Sequence, residues 1–207
     1  MKHNEERLAD ILKYLEGVTY VKQEKVPDID LYMDQVTSFM EEHLKKLKRN
    51  PEDKALTKTM INNYAKNNLI PPPVKKKYSK DHILLLLFIY YYKNMLSFND
   101  IEQLFLPLTS NHFGPDAELP LSTVYEEVFS LEQEQLDRLC SDIQAKFEAS
   151  KTVFQNAEDE EDREFLQLFS FISALSFDVY MKKHIVEYLI DQLRSENAEN
   201  TQGKKKH

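Results

Sequence analysis

The 207-residue chain has no tryptophan, a single cysteine and only three glycines. The lone thiol, Cys140, excludes an intrachain disulfide and a multi-thiolate metal site. With so little glycine, tight hairpin turns are scarce, and the apolar residues recur at helical rather than alternating spacing. An all-β fold is therefore excluded, and the chain is predicted to be mostly α. Long hydrophobic runs are missing too. The longest, Ile83 to Tyr92, has ten residues, against the roughly 20 a bilayer-spanning helix needs. The opening MKHNEERLAD is polar and carries no leader pattern, so a cytoplasmic setting without a membrane partner is expected. Gly-rich phosphate loops, nucleophile elbows, His-Glu-x-x-His and EF-hand patterns are also absent. His112 near Asp116 and Glu118, and His184 with Glu187, each lack a further ligand. No catalytic residue, cofactor or metal is assigned, and no enzyme is expected.

What the chain does have is a lopsided charge. Net charge is −8 overall, yet residues 43–93 carry twelve Lys/Arg against three Asp/Glu, a local +9. Residues 1–42 sum to −5 and residues 94–207 to −12. A basic island between acidic flanks is an electrostatic footprint for an anionic partner.

The island coincides with a distinctive series of elements. Leu8, Ile11, Leu12 and Leu15 predict a first amphipathic helix over 3–16, ended near Gly17. After an extended connector, a second is predicted over 30–47, capped by Asp28 or Asp30. A polar loop, KRNPEDKA, leads to a third helix over 58–67, with Thr57 as its cap. Met60, Ile61, Tyr64 and Ala65 form its apolar stripe, leaving Thr59, Asn62, Asn63, Lys66 and Asn67 outward. Asparagine is a mediocre helix former, but it pairs bidentately with adenine in the major groove. Asn67-Asn68 suits a left-handed helix end. Pro71-Pro72-Pro73 then stiffens a connector that carries Lys75, Lys76, Lys77 and Lys80 around Tyr78. If helix and connector cover about five phosphates, log K falls against log salt with a slope of about −4 to −5. A nearly all-apolar helix over 82–95 follows, capped by Ser79 or Asp81, as the buried centre of the domain. Tyr90, Tyr91 and Tyr92 point in different directions on it and make no stacking platform. Ser97 with Asp100 resembles a capping box opening a short helix that Pro107 ends.

INNYAKNNLIPP resembles the second helix and exit of the MerR-type winged helix-turn-helix. Ile61, Tyr64, Leu69, Ile70 and Pro71 match that pattern. Tyr78-Ser79, Phe88-Ile89 and Ser97-Phe98-Asn99-Asp100-Ile101 resemble its continuation. Asn62, Asn63 and Asn68 stand where arginine, tyrosine and glycine are usual, and the wing is shorter. The resemblance implies a MerR-like winged helix-turn-helix core with additional N- and C-terminal helices. It also implies duplex DNA as partner. PDIDLYMDQVTSFM and the stretch from Leu56 to Asn94 further resemble a bacterial family, domain of unknown function 1836, with no assigned activity.

Beyond a loop over 108–119, apolar spacing predicts helix from 121 to 151 with a break near Ser130, then a last helix from the acidic run EDEED at 158–162. Residues 165–193 hold more apolar surface than one amphipathic face needs, so a homodimer through these C-terminal helices is expected. The chain is divided as 1–107 (N-terminal helices and winged domain), 108–196 (C-terminal helical region) and 197–207 (disordered tail). The function expected is a DNA-binding transcriptional regulator, read through Thr59, Asn62, Asn63, Lys66, Asn67, Lys75, Lys76, Lys77, Tyr78 and Lys80. The alternative is a helical protein-interaction module on the same scaffold, without DNA binding.

Overall fold

The computed structural model describes the backbone of residues 3–204 and the side chains of residues 3–197. The protein is mostly helical, with one two-stranded sheet. The described residues pack as two compact units, one of residues 3–19 with 131–185, the other of residues 20–130 with 186–204.

In the larger unit the apolar helix predicted around residue 88 is found as α4 (Lys80–Tyr92), and every residue from His82 to Tyr90 is buried. A helix apolar on all sides can be stable in water only if neighbours cover all sides. They do so here with α2 (Met33–Leu44), α3 (Lys58–Lys66), α5 (Phe98–Asn111) and α6 (Leu121–Phe129), which contribute Val36, Met40, Ile61, Phe105, Leu121 and Tyr125 to the same core. Phe88 meets the rings of Phe105, Tyr125 and Phe129 at centroid distances of 6.3, 5.0 and 5.5 Å. The polar ends of the buried Tyr125 and the half-buried Tyr91 meet at one residue: Tyr125 Oη donates to the Val21 carbonyl (2.7 Å), and the Val21 amide donates to Tyr91 Oη (3.0 Å).

Two local expectations are corrected. The caps Asp28 and Asp30 are not used, because Leu31–Tyr32 form strand β1 and α2 starts only after it. There Gln35 Oε1 accepts from the Tyr32 amide at 2.9 Å. Pro107 does not end α5, which runs through it to Asn111. Losing one N–H donor to proline is tolerated because Leu104 and Leu108 pack on the core on either side. The Thr109 hydroxyl also donates to the Phe105 carbonyl at 2.9 Å.

β1 pairs antiparallel with β2 (Lys77–Tyr78), Leu31 opposite Tyr78 and Tyr32 opposite Lys77. The strand before α2 is thereby joined to the segment that follows α3.

The smaller unit holds α1 (Asn4–Leu15), α7 (Glu132–Lys151) and the first part of α8 (Glu160–Lys204). Its core is thin: Ile143, Phe147 and Phe171 are buried, with Leu8, Ile11, Leu15 and Leu175 packed against them. Polar ties support it. The buried Asn4 amide donates to the Glu164 carbonyl at 2.9 Å, and Lys151 bridges Glu5 (3.1 Å) and Glu148 (3.2 Å). Asp159 Oδ2 accepts from the Asp162 amide at 2.8 Å, so part of the acidic run serves the start of α8. Of the tail expected to be disordered from residue 197, the backbone to Lys204 continues α8, and residues 205–207 lie outside the described residues.

Candidate nucleic-acid interface

α3 is short, and its two ends are defined by its own sequence. Thr57 Oγ1 accepts from the Met60 amide at 3.2 Å. At the other end Asn68 adopts φ 60°, its amide donating to the Ala65 carbonyl (3.3 Å) and the Leu69 amide to the Tyr64 carbonyl (2.9 Å). This double bond pattern closes the helix and turns the chain. Ile61, Tyr64, Leu69 and Ile70 are buried, and Thr59, Asn62, Asn63, Lys66 and Asn67 are exposed. Asn67 Nδ2 donates to the Asn63 carbonyl at 2.8 Å, leaving that carbonyl doubly engaged at the helix end.

The polar loop ahead of α3 is long, yet it is tied down. Glu41 Oε2 accepts from the Ala55 amide at 3.0 Å, and its carboxylate pairs with Lys48, which holds it below the usual carboxylate range. Lys48 also donates to the Pro51 carbonyl (2.8 Å), and Lys93 to the Ala55 carbonyl (2.9 Å). Burial pushes the Lys93 ammonium below its ordinary value. Ala55 and Leu56 sit in the core as a result.

After the prolines the chain makes a two-residue hairpin. Val74 and Lys77 bridge, with the Lys77 amide donating to the Val74 carbonyl at 2.9 Å. The tip residues are Lys75 and Lys76, at φ 50° and 64°. Both central residues of such a turn need positive φ, for which Asn-Gly is the unstrained choice. A side chain with a Cβ costs about 1–2 kcal/mol in that conformation, so the tip keeps two lysines against its own backbone preference. Both are exposed, and among the described residues neither has an ion pair.

The base of this hairpin is clasped by a residue that the sequence reading left unremarked. His82 is 3% exposed, and its ring joins both ends of the segment. Nδ1 accepts from the Ser79 amide at 3.0 Å, which leaves the proton on Nε2 to be donated to the Pro71 carbonyl at 3.1 Å. Tyr78 and Phe113 each meet the ring edge-on. Burial, the largest influence, holds the imidazole below its ordinary pKa. The Ser-x-x-His spacing at 79–82 was the signal available, since it mimics a capping box.

Strand alternation separates the remaining expected residues. Lys77 is half-buried with its ammonium 5.2 Å from the centre of the Tyr32 ring. Tyr78, one residue on, points inward and is 3% exposed, with burial raising its phenol. It anchors the hairpin and presents no ring to a ligand. Lys80 is half-buried and donates to Asp28 Oδ1 at 2.8 Å. Thus Thr59, Asn62, Asn63, Lys66, Asn67, Lys75 and Lys76 are presented outward, Lys77 and Lys80 are engaged, and Tyr78 belongs to the core. Two contacts bring the start of α3 and the root of the hairpin beside one stretch: Lys58 pairs with Asp34, and Lys77 lies over Tyr32.

Among the described residues, no group of three or more His, Cys, Asp or Glu side chains is placed to hold a metal, and no helix is long and apolar enough to cross a membrane. Neither the curated proteins nor the solved structures searched contain a match to the chain. A family model described as "Domain of unknown function (DUF1836)" matches residues 21–128. That span nearly coincides with the stretch 20–130 of the larger compact unit, which carries α3, the hairpin and their clasp. The chain, matched over more than half its length, belongs to the DUF1836 family.

Proposed function

We propose that this protein is a DNA-binding regulator of MerR-like winged helix-turn-helix type, with α3 as the reading helix and the hairpin as the wing. The observation that carries the reading is the hairpin tip. Lys75 and Lys76 are held there in left-handed conformation, outward and without ion pairs among the described residues. Local strain of this kind persists where the surrounding structure over-determines it, and it concentrates at functional positions. Support comes from the order of elements, in which a strand, α2, α3 and a wing strand paired back to the first follow one another. The outward asparagines of α3 are suited to base edges, and the lysines to phosphates. A homodimer through the C-terminal helices would offer two such heads to one duplex.

Titration of a labelled mixed-sequence duplex at several salt concentrations tests the reading. Lys75→Ala/Lys76→Ala/Lys77→Ala should lower affinity and reduce the slope of log K against log salt by about 2 to 3. Asn62→Ala/Asn63→Ala should weaken binding with little change in slope, since those residues carry no charge. Undiminished binding by the triple variant rejects the wing. No binding by the native chain even at low salt rejects the DNA reading and favours the protein-interaction module.

A further inference from the structure

α8 carries two apolar faces, and within the smaller unit only one is used. Phe171 packs its ring 5.5 Å from that of Phe147, Leu175 joins the same cluster, and Asp178 pairs with Lys146 at 2.9 Å. A second face is set by Phe165, Phe169, Ile172, Ser176 and Val179, with intervals of four and three residues in alternation. That spacing is the seam of a coiled coil. Its four apolar members are 53, 58, 51 and 63% exposed, and Tyr180 beside them is 59% exposed.

Side chains of this size half-exposed present on the order of 100 Å² each, so the stripe with Tyr180 offers about 500 Å². That matches the largest apolar patch of an ordinary monomer, about 300–600 Å². With flanking polar and charged surface it approaches the roughly 800 Å² per partner of a standard interface.

The geometry points to a second copy of this chain as the occupant, its α8 running antiparallel against this stripe. It specifies the pairing named in the reading above, and needs nothing from the DNA contact. Two features of the helix choose the partner and the direction. Residue size is the first: in an antiparallel seam Phe169 packs on Ile172 of the second copy and Phe165 on its Ser176, large against small, as close packing requires. Charge is the second. The same register lays the exposed acidic run 158–162, which straddles the start of α8, opposite residues 179–183 of the second copy. Val179 and Tyr180 then form the edge of the seam beside Asp162 and Glu161, while Lys182 and Lys183 reach Asp159 and Glu158. A parallel pair would instead stack five carboxylates on five carboxylates. The acidic start and basic middle of α8 are thus complementary to each other only when two helices oppose.

Sedimentation equilibrium of the full chain without DNA, from about 1 to about 100 µM, should show a dimer. Phe169→Glu/Ile172→Glu should raise its dissociation constant at least about 100-fold. Far-UV circular dichroism should be unchanged, because both residues face outward. In a Cys140→Ser background, Phe165→Cys/Ser176→Cys should oxidise to a covalent dimer, whereas Ser176→Cys alone should not. A monomer at the highest concentration, or unaltered association of the glutamate variant, overturns the proposal. Equal cross-linking by the single cysteine overturns the antiparallel register. Because association is measured without DNA, a chain that dimerises but fails to bind duplex in the separate titration indicts only the DNA reading.

Discussion

α4 and the 165–185 stretch of α8 are both rich in large apolar residues, and they end in opposite conditions. Every residue of α4 from His82 to Tyr90 is buried. In the α8 stretch only Phe171 reaches that state, while Phe169, Phe177 and Val179 stay more than half exposed. Around α4, helices on every side share one core; around α8, the smaller unit supplies only α1 and α7. Hydrophobicity thus states a demand for cover, and the number of neighbouring elements decides whether the same chain meets it. The unmet demand on α8 is what a second copy would satisfy.

The sharpest way to break this comparison is a matched pair of truncations. Leu86→Ala, at a position with no exposed surface, should cost about 2–5 kcal/mol in denaturant unfolding. Phe177→Ser, at 63% exposure, should change stability by no more than about 0.5 kcal/mol. Comparable losses at both sites would mean that Phe177, which lies off the proposed seam, is covered after all.

Within the larger unit, the clasp sharpens the comparison by asking how far burial extends. His82→Phe keeps the apolar packing but leaves the Pro71 carbonyl and the Ser79 amide without their partner, at a cost of about 1–3 kcal/mol. The variant should also lose part of the native pH dependence. The folded-state pKa of His82 is depressed, so the unfolded chain binds more protons in that range and stability rises with pH. The contribution is complete above the ordinary histidine pKa of about 6.5, and is lost as pH falls toward the lower folded value. Melting temperatures measured from neutral to mildly acidic pH should fall more steeply for the native chain than for His82→Phe. Parallel curves would show that His82 is already protonated or freely solvated.

At the hairpin the expected effect is a modest gain of stability. Lys75→Asn/Lys76→Gly should stabilise the chain by about 1 kcal/mol, because glycine removes one Cβ penalty at some cost in backbone entropy and asparagine tolerates the left-handed conformation better than lysine, while weakening duplex binding. A variant that is stabilised and binds as before would separate the strain from the function proposed for it.

Much of the helical layout was legible because its determinants are local. Thr57 caps α3 and Asn68 closes it, each acting within a few residues. Ser97 and Asp100 close the capping box of α5, Ser97 Oγ accepting from the Asp100 amide at 3.2 Å. The outward set on α3 followed from its apolar stripe. Lys75-Lys76 carries no turn signature, so the hairpin tip was not legible. Tyr78 read as part of a loop because its inward direction depends on pairing with Leu31, 47 positions earlier. His82 gained its meaning only from the Pro71 carbonyl, brought within reach by the hairpin.

By itself the sequence determined helix content, the basic island and the polar face of α3, since periodicity, capping and charge act over a few residues. Only the tertiary structure decided that residues 3–19 pack with 131–185, that β1 closes on β2, and which apolar helix is covered. Those outcomes depend on contacts between segments far apart in the chain, where the gain from burial must exceed the entropy of bringing the segments together.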